Sequence, residues 1–238
     1  MKTPQGLEFT ESRWDFKLQT SHFFGGMVPA NLEALEAQKY TCGYPDGAIL
    51  FMEGQSPRGI LILCKGRVKL SMTSTVGKTF IHRIVKEGEV LGLHAVISGE
   101  AYQSTAETLE PCQVSFIGRD DFLAFLRQNS EASIRAAQQL SCDYHTACEQ
   151  IRSLSFGHCV PEKLARFLLD WATNGPEPKT GTRMKLTLTH EEIGQMIGTS
   201  RETVTRTLSD FKSKQLAALI GSTLVIQNKE GLEHLVNP

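Results

Sequence analysis

The chain has 238 residues, 40% hydrophobic and 21% charged, with a formal net charge of −1. That length allows one large or two small domains with a real core, at an ordinary globular composition. The near-neutral balance excludes a general polyanion binder, and no apolar run approaches the roughly eighteen residues of a membrane span. The N-terminus carries no signal-peptide pattern, so the expectation is a cytoplasmic protein without a membrane partner. Six cysteines (42, 64, 112, 142, 148 and 159) include no Cys-x-x-Cys pair. They are expected to be reduced thiols, and their spacing excludes a zinc ribbon or finger.

Residues 1 to 28 are polar and weakly patterned and read as an arm, followed by one short helix over 28–38. From Tyr40 to Phe116 the texture changes to short apolar or alternating runs: Ala48–Phe51, Gly59–Cys64, Arg67–Met72, Thr79–Val85, Gln103–Thr108 and Cys112–Ile117. Glycines mark almost every corner between them, as in Asp46-Gly47, Lys65-Gly66 and Glu87-Gly88. Such spacing predicts a sandwich, roll or barrel.

A short helix is expected over 120–128, and Ser130 then reads as the cap of a much longer one. On that helix Ala137, Leu140, Tyr144, Ala147, Ile151 and Leu154 are spaced 3, 4, 3, 4, 3, a heptad seam without proline or glycine. An apolar stripe is usually intramolecular core. Its position between two domains favours a two-stranded dimer interface instead. Ser155 to Val160 reads as a hinge.

Pro161 opens a new helix with Leu164, Phe167, Leu168 and Trp171 on one face. Asn174 to Thr182 is a loop, and Met184 to Leu188 reads as a strand. Thr189 and Glu192 then form a capping box, since a hydroxyl and a carboxylate three apart can each satisfy the other's amide. Ile193, Met196 and Ile197 give that helix an apolar face, and Gly198 stops it. Ser200 caps a second helix, on which Val204, Leu208 and Phe211 continue the stripe. Ala218–Ile220 and Thr223–Ile226 flank Gly221-Ser222 as a β-hairpin, and Asn228 to Val236 closes with a helical turn or two.

Off the apolar stripe, the start of the second helix carries Arg201, Glu202, Thr203, Thr205 and Arg206. Arginine can fork onto guanine O6 and N7, and a carboxylate can accept from the cytosine amino group. Helix, glycine turn and such a helix make a helix-turn-helix that lays its second helix in the major groove. Between Lys179 and Lys214 seven Lys or Arg face four Asp or Glu, a local +3 suited to a small DNA-facing patch. Double-stranded DNA is the expected partner. No nucleophile–base pair is evident, and His82 and His94 are too far apart for a His-x-His metal motif, so the chain does not read as an enzyme.

This order of parts resembles the bacterial regulators named after the cyclic-AMP receptor protein and the fumarate-nitrate reduction regulator, over about residues 30 to 230. The likeness is strongest at Leu188 to Phe211, which contains Glu-Ile-Gly-Gln-Met-Ile-Gly-Thr-Ser-Arg-Glu-Thr-Val-Thr-Arg-Thr-Leu from Glu192 to Leu208. It implies an α+β chain: an arm and β-roll (jelly-roll) sensor domain over 1–128, a dimerisation helix over 129–155 and a winged helix-turn-helix domain over 156–238. It further implies a homodimeric transcription regulator, activator or repressor, that works with RNA polymerase. Arg201, Glu202 and Arg206 would read bases, while Thr189, Ser200, Thr203 and Thr205 would support them or touch phosphate. Two guanine-forking arginines per half-site predict a palindromic operator resembling TGTGA.

The sensor domain departs from the family's cyclic-nucleotide cassette. Gly92-Leu93-His94 puts leucine at the place of the ribose-binding glutamate, and Tyr102-Gln103-Ser104 puts no cation at the place of the phosphate-binding arginine. The hydroxyl pair of the long helix falls on Ala147 and Cys148, with Tyr144 nearby. Cyclic AMP is therefore not the expected effector. With no cysteine before Cys42, the family's iron–sulfur cluster is not expected either. His94 matches the place of a haem ligand in the gas-sensing branch, which leaves a haem sensor as one alternative. A constitutive regulator whose pocket is filled by Leu93 and Tyr102 is another, and redox sensing through Cys142 or Cys148 is a third. The effector itself is not specified by these residues.

Overall fold

The structure, a computed structural model, describes residues 16–155, 159–174 and 183–236. A single 3-10 turn at Leu18–Thr20 precedes α1 (Pro29–Gln38), β1 (Tyr40–Tyr44), β2 (Ile49–Phe51), β3 (Gly59–Lys65), β4 (Val68–Thr73) and β5 (Thr79–Val85). Then come β6 (Val90–Leu91), α2 (Leu93–Ser98), β7 (Thr105–Thr108), β8 (Cys112–Gly118), α3 (Arg119–Gln128) and the long α4 (Ser130–Ser155). The remainder is α5 (Val160–Asn174), β9 (Arg183–Lys185), α6 (His190–Ile197), α7 (Arg201–Ser213), β10 (Ala217–Ile220), β11 (Thr223–Ile226) and α8 (Lys229–Val236). The chain divides into two compact units: one holds the residues up to Lys78 together with His82–Thr146, the other Thr79–Ile81 with the residues from Ala147 onward, so the main boundary falls inside α4. Among the described residues no helix is long and apolar enough to cross a membrane.

The first unit is layered on β3. All five residues from Gly59 to Leu63 are buried, because the strand is covered on both faces. Successive side chains alternate between faces, so one strand serves two cores. Leu61 and Leu63 point into a core shared with Leu50, Phe51, Val68, Val85, Leu91, Ala106 and Val114. That core lies between two four-stranded antiparallel sheets, ordered β1-β8-β3-β6 and β2-β7-β4-β5. Ile60 and Ile62 face the helices and meet Leu32, Leu35, Phe122 and Phe125. Phe23 and Phe24 join the same cluster, their rings edge-on at 4.8 Å, so residues of the expected arm are core from Leu18 onward. At the start of α4, Asn129 Oδ1 accepts the Ala132 amide, so Asn129 rather than Ser130 caps that helix.

α4 presents two apolar ridges. Ala132, Ala136 and Leu140, four apart, belong to the helix-facing core or pack against it. Ala137, Tyr144, Ala147 and Ile151 are exposed, with Tyr144 at 74% and Ile151 at 61%, and Ile134 extends the exposed ridge at 59%. Leu140 thus leaves the expected seam for the intramolecular one. The side chain of Leu154 lies outside the described residues, as do residues 1–15 of the arm, 156–158 of the expected hinge and 175–182 of the expected loop.

The second unit buries Leu164, Ala165, Leu168 and Trp171 of α5 with Ile193, Ile197, Val204, Leu208, Phe211, Leu224 and Leu232. Its sheet runs β10-β11-β9, and the hairpin closes with Ile220 opposite Thr223 across Gly221-Ser222. Trp171 Nε1 donates to the Lys185 carbonyl at 3.0 Å, tying α5 to β9. The strand is shorter and earlier than expected, since Leu186 and Leu188 are buried in the extended lead-in to α6.

Candidate nucleic-acid interface and effector site

The start of α6 is fixed by its sequence. Thr189 Oγ1 accepts the Glu192 amide at 3.2 Å, and the Glu192 carboxylate accepts the Thr189 amide at 2.9 Å and its hydroxyl at 3.0 Å. This is the predicted capping box. Gly198 ends the helix at φ 71°. Gly194 has a second role that the pattern did not reveal: a Cβ there would lie 2.8 Å from the Thr199 carbonyl oxygen. The turn passes directly over α6 at this point, and the Thr199 amide donates to the Gly194 carbonyl at 2.9 Å.

Ser200 caps α7 by accepting the Thr203 amide at 3.3 Å. Val204, Thr207, Leu208 and Phe211 face the core. Arg201, Glu202, Thr205 and Arg206 are all exposed, and at spacings of one and four they share one face of the helix. The Glu202 carboxylate has a lowered pKa, mainly through its own backbone amide, then through the Ser200 hydroxyl and the charge of Arg201. It is an ionised acceptor on the same face as Arg201 and Arg206. Thr203 is half-buried. Thr189 and Ser200 spend their hydroxyls on the caps, which makes them supports of the two helix starts. His190, absent from the sequence-based candidates, places Nδ1 2.8 Å from Thr205 Oγ1.

The expected effector residues differ in their surroundings. Leu93 is buried in the helix-facing core, whereas His94 is exposed between buried Leu93 and Ala95. Tyr102 is 6% exposed and belongs to the core between the sheets, where its ring stacks on Phe51 at 3.9 Å. Its hydroxyl donates to the Gly59 carbonyl at 3.0 Å, and its edge lies against Gly92. Gln103 is exposed, Ser104 half-buried, Tyr144 and Ala147 exposed, and Cys148 half-buried. Among the described residues no cluster of three His, Cys, Asp or Glu could hold a metal ion.

Two family profiles match this chain, a Crp-like helix-turn-helix domain over residues 162–235 and a cyclic nucleotide-binding domain over 42–129. The chain belongs to the Crp/Fnr family of transcription regulators. A CRP-like cAMP-activated global transcriptional regulator of Mycobacterium tuberculosis is 26% identical over 216 residues, 90% of this chain and 96% of that protein. The cAMP-activated regulator CRP of Pasteurella multocida is 28% identical over 185 residues, 77% of this chain and 88% of that one. In structure the chain is similar to FixK2 from Bradyrhizobium japonicum, with a TM-score of 0.75 at 19% identity over 84% of this chain and 98% of that one. A CooA variant from Carboxydothermus hydrogenoformans gives 0.74 at 20% identity over 97% and 98%.

As a Crp/Fnr regulator the chain acts by binding DNA, and it is not an enzyme. The family's sensor fold is present. A buried phosphate needs a charge-assisted partner. At the place that the resemblance gives to that charge stand Tyr102, packed into the core, exposed Gln103 and half-buried Ser104.

Proposed function

We propose that this Crp/Fnr regulator is a homodimer that reads a palindromic, TGTGA-like operator and acts there on RNA polymerase. The observation that carries the reading is the face of α7. Arg201, Glu202 and Arg206 stand exposed together on the first two turns of a helix capped by Ser200 and braced by α6. Two arginines forked onto guanine, with an acceptor for cytosine, account for the two GC pairs of each half-site, and each contact discriminates by about 1–3 kcal/mol. Two-fold symmetry follows from the exposed ridge Ile134, Ala137, Tyr144 and Ile151, which is long and apolar enough to bury against a second copy. Recognition helices so paired sit one DNA turn apart, about 34–36 Å. Selection of binding sites from random DNA with the full chain tests this. An inverted repeat with those guanines is expected. Arg206→Ala should relax its sequence preference, whereas a uniform weakening across sequences would make Arg206 a phosphate contact.

The stack of Tyr102 on Phe51 favours one further reading, that operator binding requires no cyclic nucleotide. A constitutive regulator and a sensor of another signal both satisfy it. Operator affinity measured with and without millimolar cyclic AMP, and again with a small-molecule cell extract, separates the two. A gain with cyclic AMP would overturn this reading, and a gain with extract alone would identify a different effector class. The alternative of haem ligation would use His94, exposed at the start of α2, and the visible absorption spectrum of freshly purified protein tests it: a Soret band would establish haem.

A further inference from the structure

On the reading face of α7, the hydroxyl of Thr205 makes two hydrogen-bonding contacts. Thr205 Oγ1 donates to the Arg201 carbonyl, one turn back, at 3.0 Å. A hydroxyl has a single proton and two lone pairs. The 2.8 Å contact with His190 Nδ1 must therefore run in the other direction, with the ring N–H donating and Thr205 accepting. Donation by the ring requires the imidazole form that carries a proton on Nδ1.

A threonine in a helix divides between two side-chain rotamers, and the bond to the carbonyl four residues back stabilises one of them. The bond from His190, on the neighbouring helix, adds to the same choice. In that rotamer the hydroxyl has no proton left for a phosphate oxygen or for a thymine O4, both of which only accept. What the exposed Thr205 retains for DNA is its methyl group and one lone pair, which can accept but not donate. The apolar feature of a base edge in the major groove is the C5-methyl of thymine.

We propose that His190 is a positioning residue that turns Thr205 into a thymine-methyl contact of the recognition helix instead of a phosphate-binding hydroxyl. This rests on α7 entering the major groove, and the test keeps the two ideas apart. The full chain is assayed by equilibrium binding against its selected operator and against a series in which each thymine is replaced in turn by deoxyuridine. That exchange removes one methyl group and changes no hydrogen-bonding atom. Wild type is expected to lose about fourfold in affinity at one thymine of each half-site, the equivalent of one buried methyl. Thr205→Val, which keeps a methyl group and discards the hydroxyl, should retain the discrimination. Thr205→Ser should abolish it. His190→Ala should shrink it toward parity by freeing the rotamer, and His190→Asn, whose amide N–H can take the place of Nδ1–H, should restore it.

Wild type indifferent to every thymine-to-uridine exchange would overturn the proposal, as would His190→Ala discriminating as well as wild type, or Thr205→Val losing discrimination. None of those results would touch the reading of α7 itself, which fails only if wild type shows no sequence preference or if Arg206→Ala leaves that preference intact.

Discussion

The Tyr102 ring lies nearly parallel to Phe51, with centroids 3.9 Å apart and planes 15° apart, while its hydroxyl reaches the Gly59 carbonyl at 3.0 Å. Apolar packing and a satisfied polar tip together make this side chain part of the wall between the two sheets. Tyr102→Phe keeps the stack and should cost about 1 kcal/mol, the usual worth of one hydrogen bond. Tyr102→Ala should cost about 3–5 kcal/mol through the cavity it leaves. Calorimetric melting of the full chain measures both. A Tyr102→Ala loss below about 1 kcal/mol would mean that the ring is not a packed element of the core.

The close approach at Gly194 gives a second expectation. A methyl group there would meet the Thr199 carbonyl oxygen at 2.8 Å, with Ser200 and Arg201 backbone atoms just beyond. Those atoms belong to the turn and to the first residue of α7, so relief of the clash has to move the reading helix. Gly194→Val should therefore lower operator affinity by at least about tenfold, roughly 1.4 kcal/mol, while leaving the melting of the first unit unchanged. Normal operator affinity in Gly194→Val would show that the turn can shift without displacing the arginines.

How far these features could be read from residues alone depended on whether the signal was local. The capping box of Thr189 and Glu192, the stop at Gly198 and the cap at Ser200 involve neighbours in sequence, and each is found as expected. β1 and β6 went unread: β1 buries only Cys42, and β6 is a two-residue bridge defined by its partner β3. The seam on α4 was legible as apolar, but period alone cannot say which ridge a neighbour covers. Leu140 turned toward the phenylalanine cluster, while Tyr144 and Ile151 stayed exposed. His190 with Thr205, and Gly194 with Thr199, are meetings across a turn that no spacing rule encodes. The lack of a cation at Tyr102-Gln103-Ser104 was legible as a substitution, as was Tyr102 as a pocket filler; its stack on Phe51 was not.

His82 makes the stability of the first unit sensitive to pH. Burial lowers its pKa, and the Arg83 guanidinium lowers it further, against a smaller opposing pull from Asp143. Arg83 bridges Asp143 at 2.8 Å and Glu89 at 3.1 Å, so the cation beside the ring is held in place. The unfolded chain takes up this proton near an ordinary value of about 6.5, and the folded chain resists it. The unfolded state thus binds more protons as pH falls, so stability is full above that value and is lost below it, toward the lowered folded pKa. His82→Gln should remove this component. Its melting temperature should fall less than that of wild type between about pH 7 and about pH 5.5. Parallel pH curves would show that His82 does not contribute.

The thiols should separate by environment. Burial, first among several causes, raises Cys112 to about 11, and its Sγ bonds the Glu110 and Arg67 carbonyls at 3.1 and 3.3 Å. Burial also raises Cys42 and Cys64. Cys142 and Cys159 are exposed. Because the thiolate is the reactive species, iodoacetamide at about pH 8 should label Cys112 roughly two orders of magnitude more slowly than an ordinary thiol. Peptide mass spectrometry of a labelling time course reads this directly, with Cys142 and Cys159 expected first. Comparable early labelling of Cys112 would show that β8 opens in the native protein.

The exposed ridge of α4 supplies the test of self-association. Tyr144 and Ile151 are 74% and 61% exposed, seven residues apart, so they lie almost in line along the helix. Two copies packed about a dyad would bring each residue near its own counterpart. Tyr144→Glu or Ile151→Glu would then set like charges across the interface, a juxtaposition that costs several kcal/mol. The dimer dissociation constant should rise at least a hundredfold, about 2.8 kcal/mol, and affinity for a full palindrome should fall with it, because one recognition helix holds only half a site. Thr146→Glu provides the control: two residues beyond Tyr144, it is rotated by about 200° and lies on the other side of the helix. Sedimentation equilibrium should find that variant dimeric and the other two monomeric. If all three remain dimeric, the ridge is not the interface and the pairing of recognition helices must be built elsewhere on the chain.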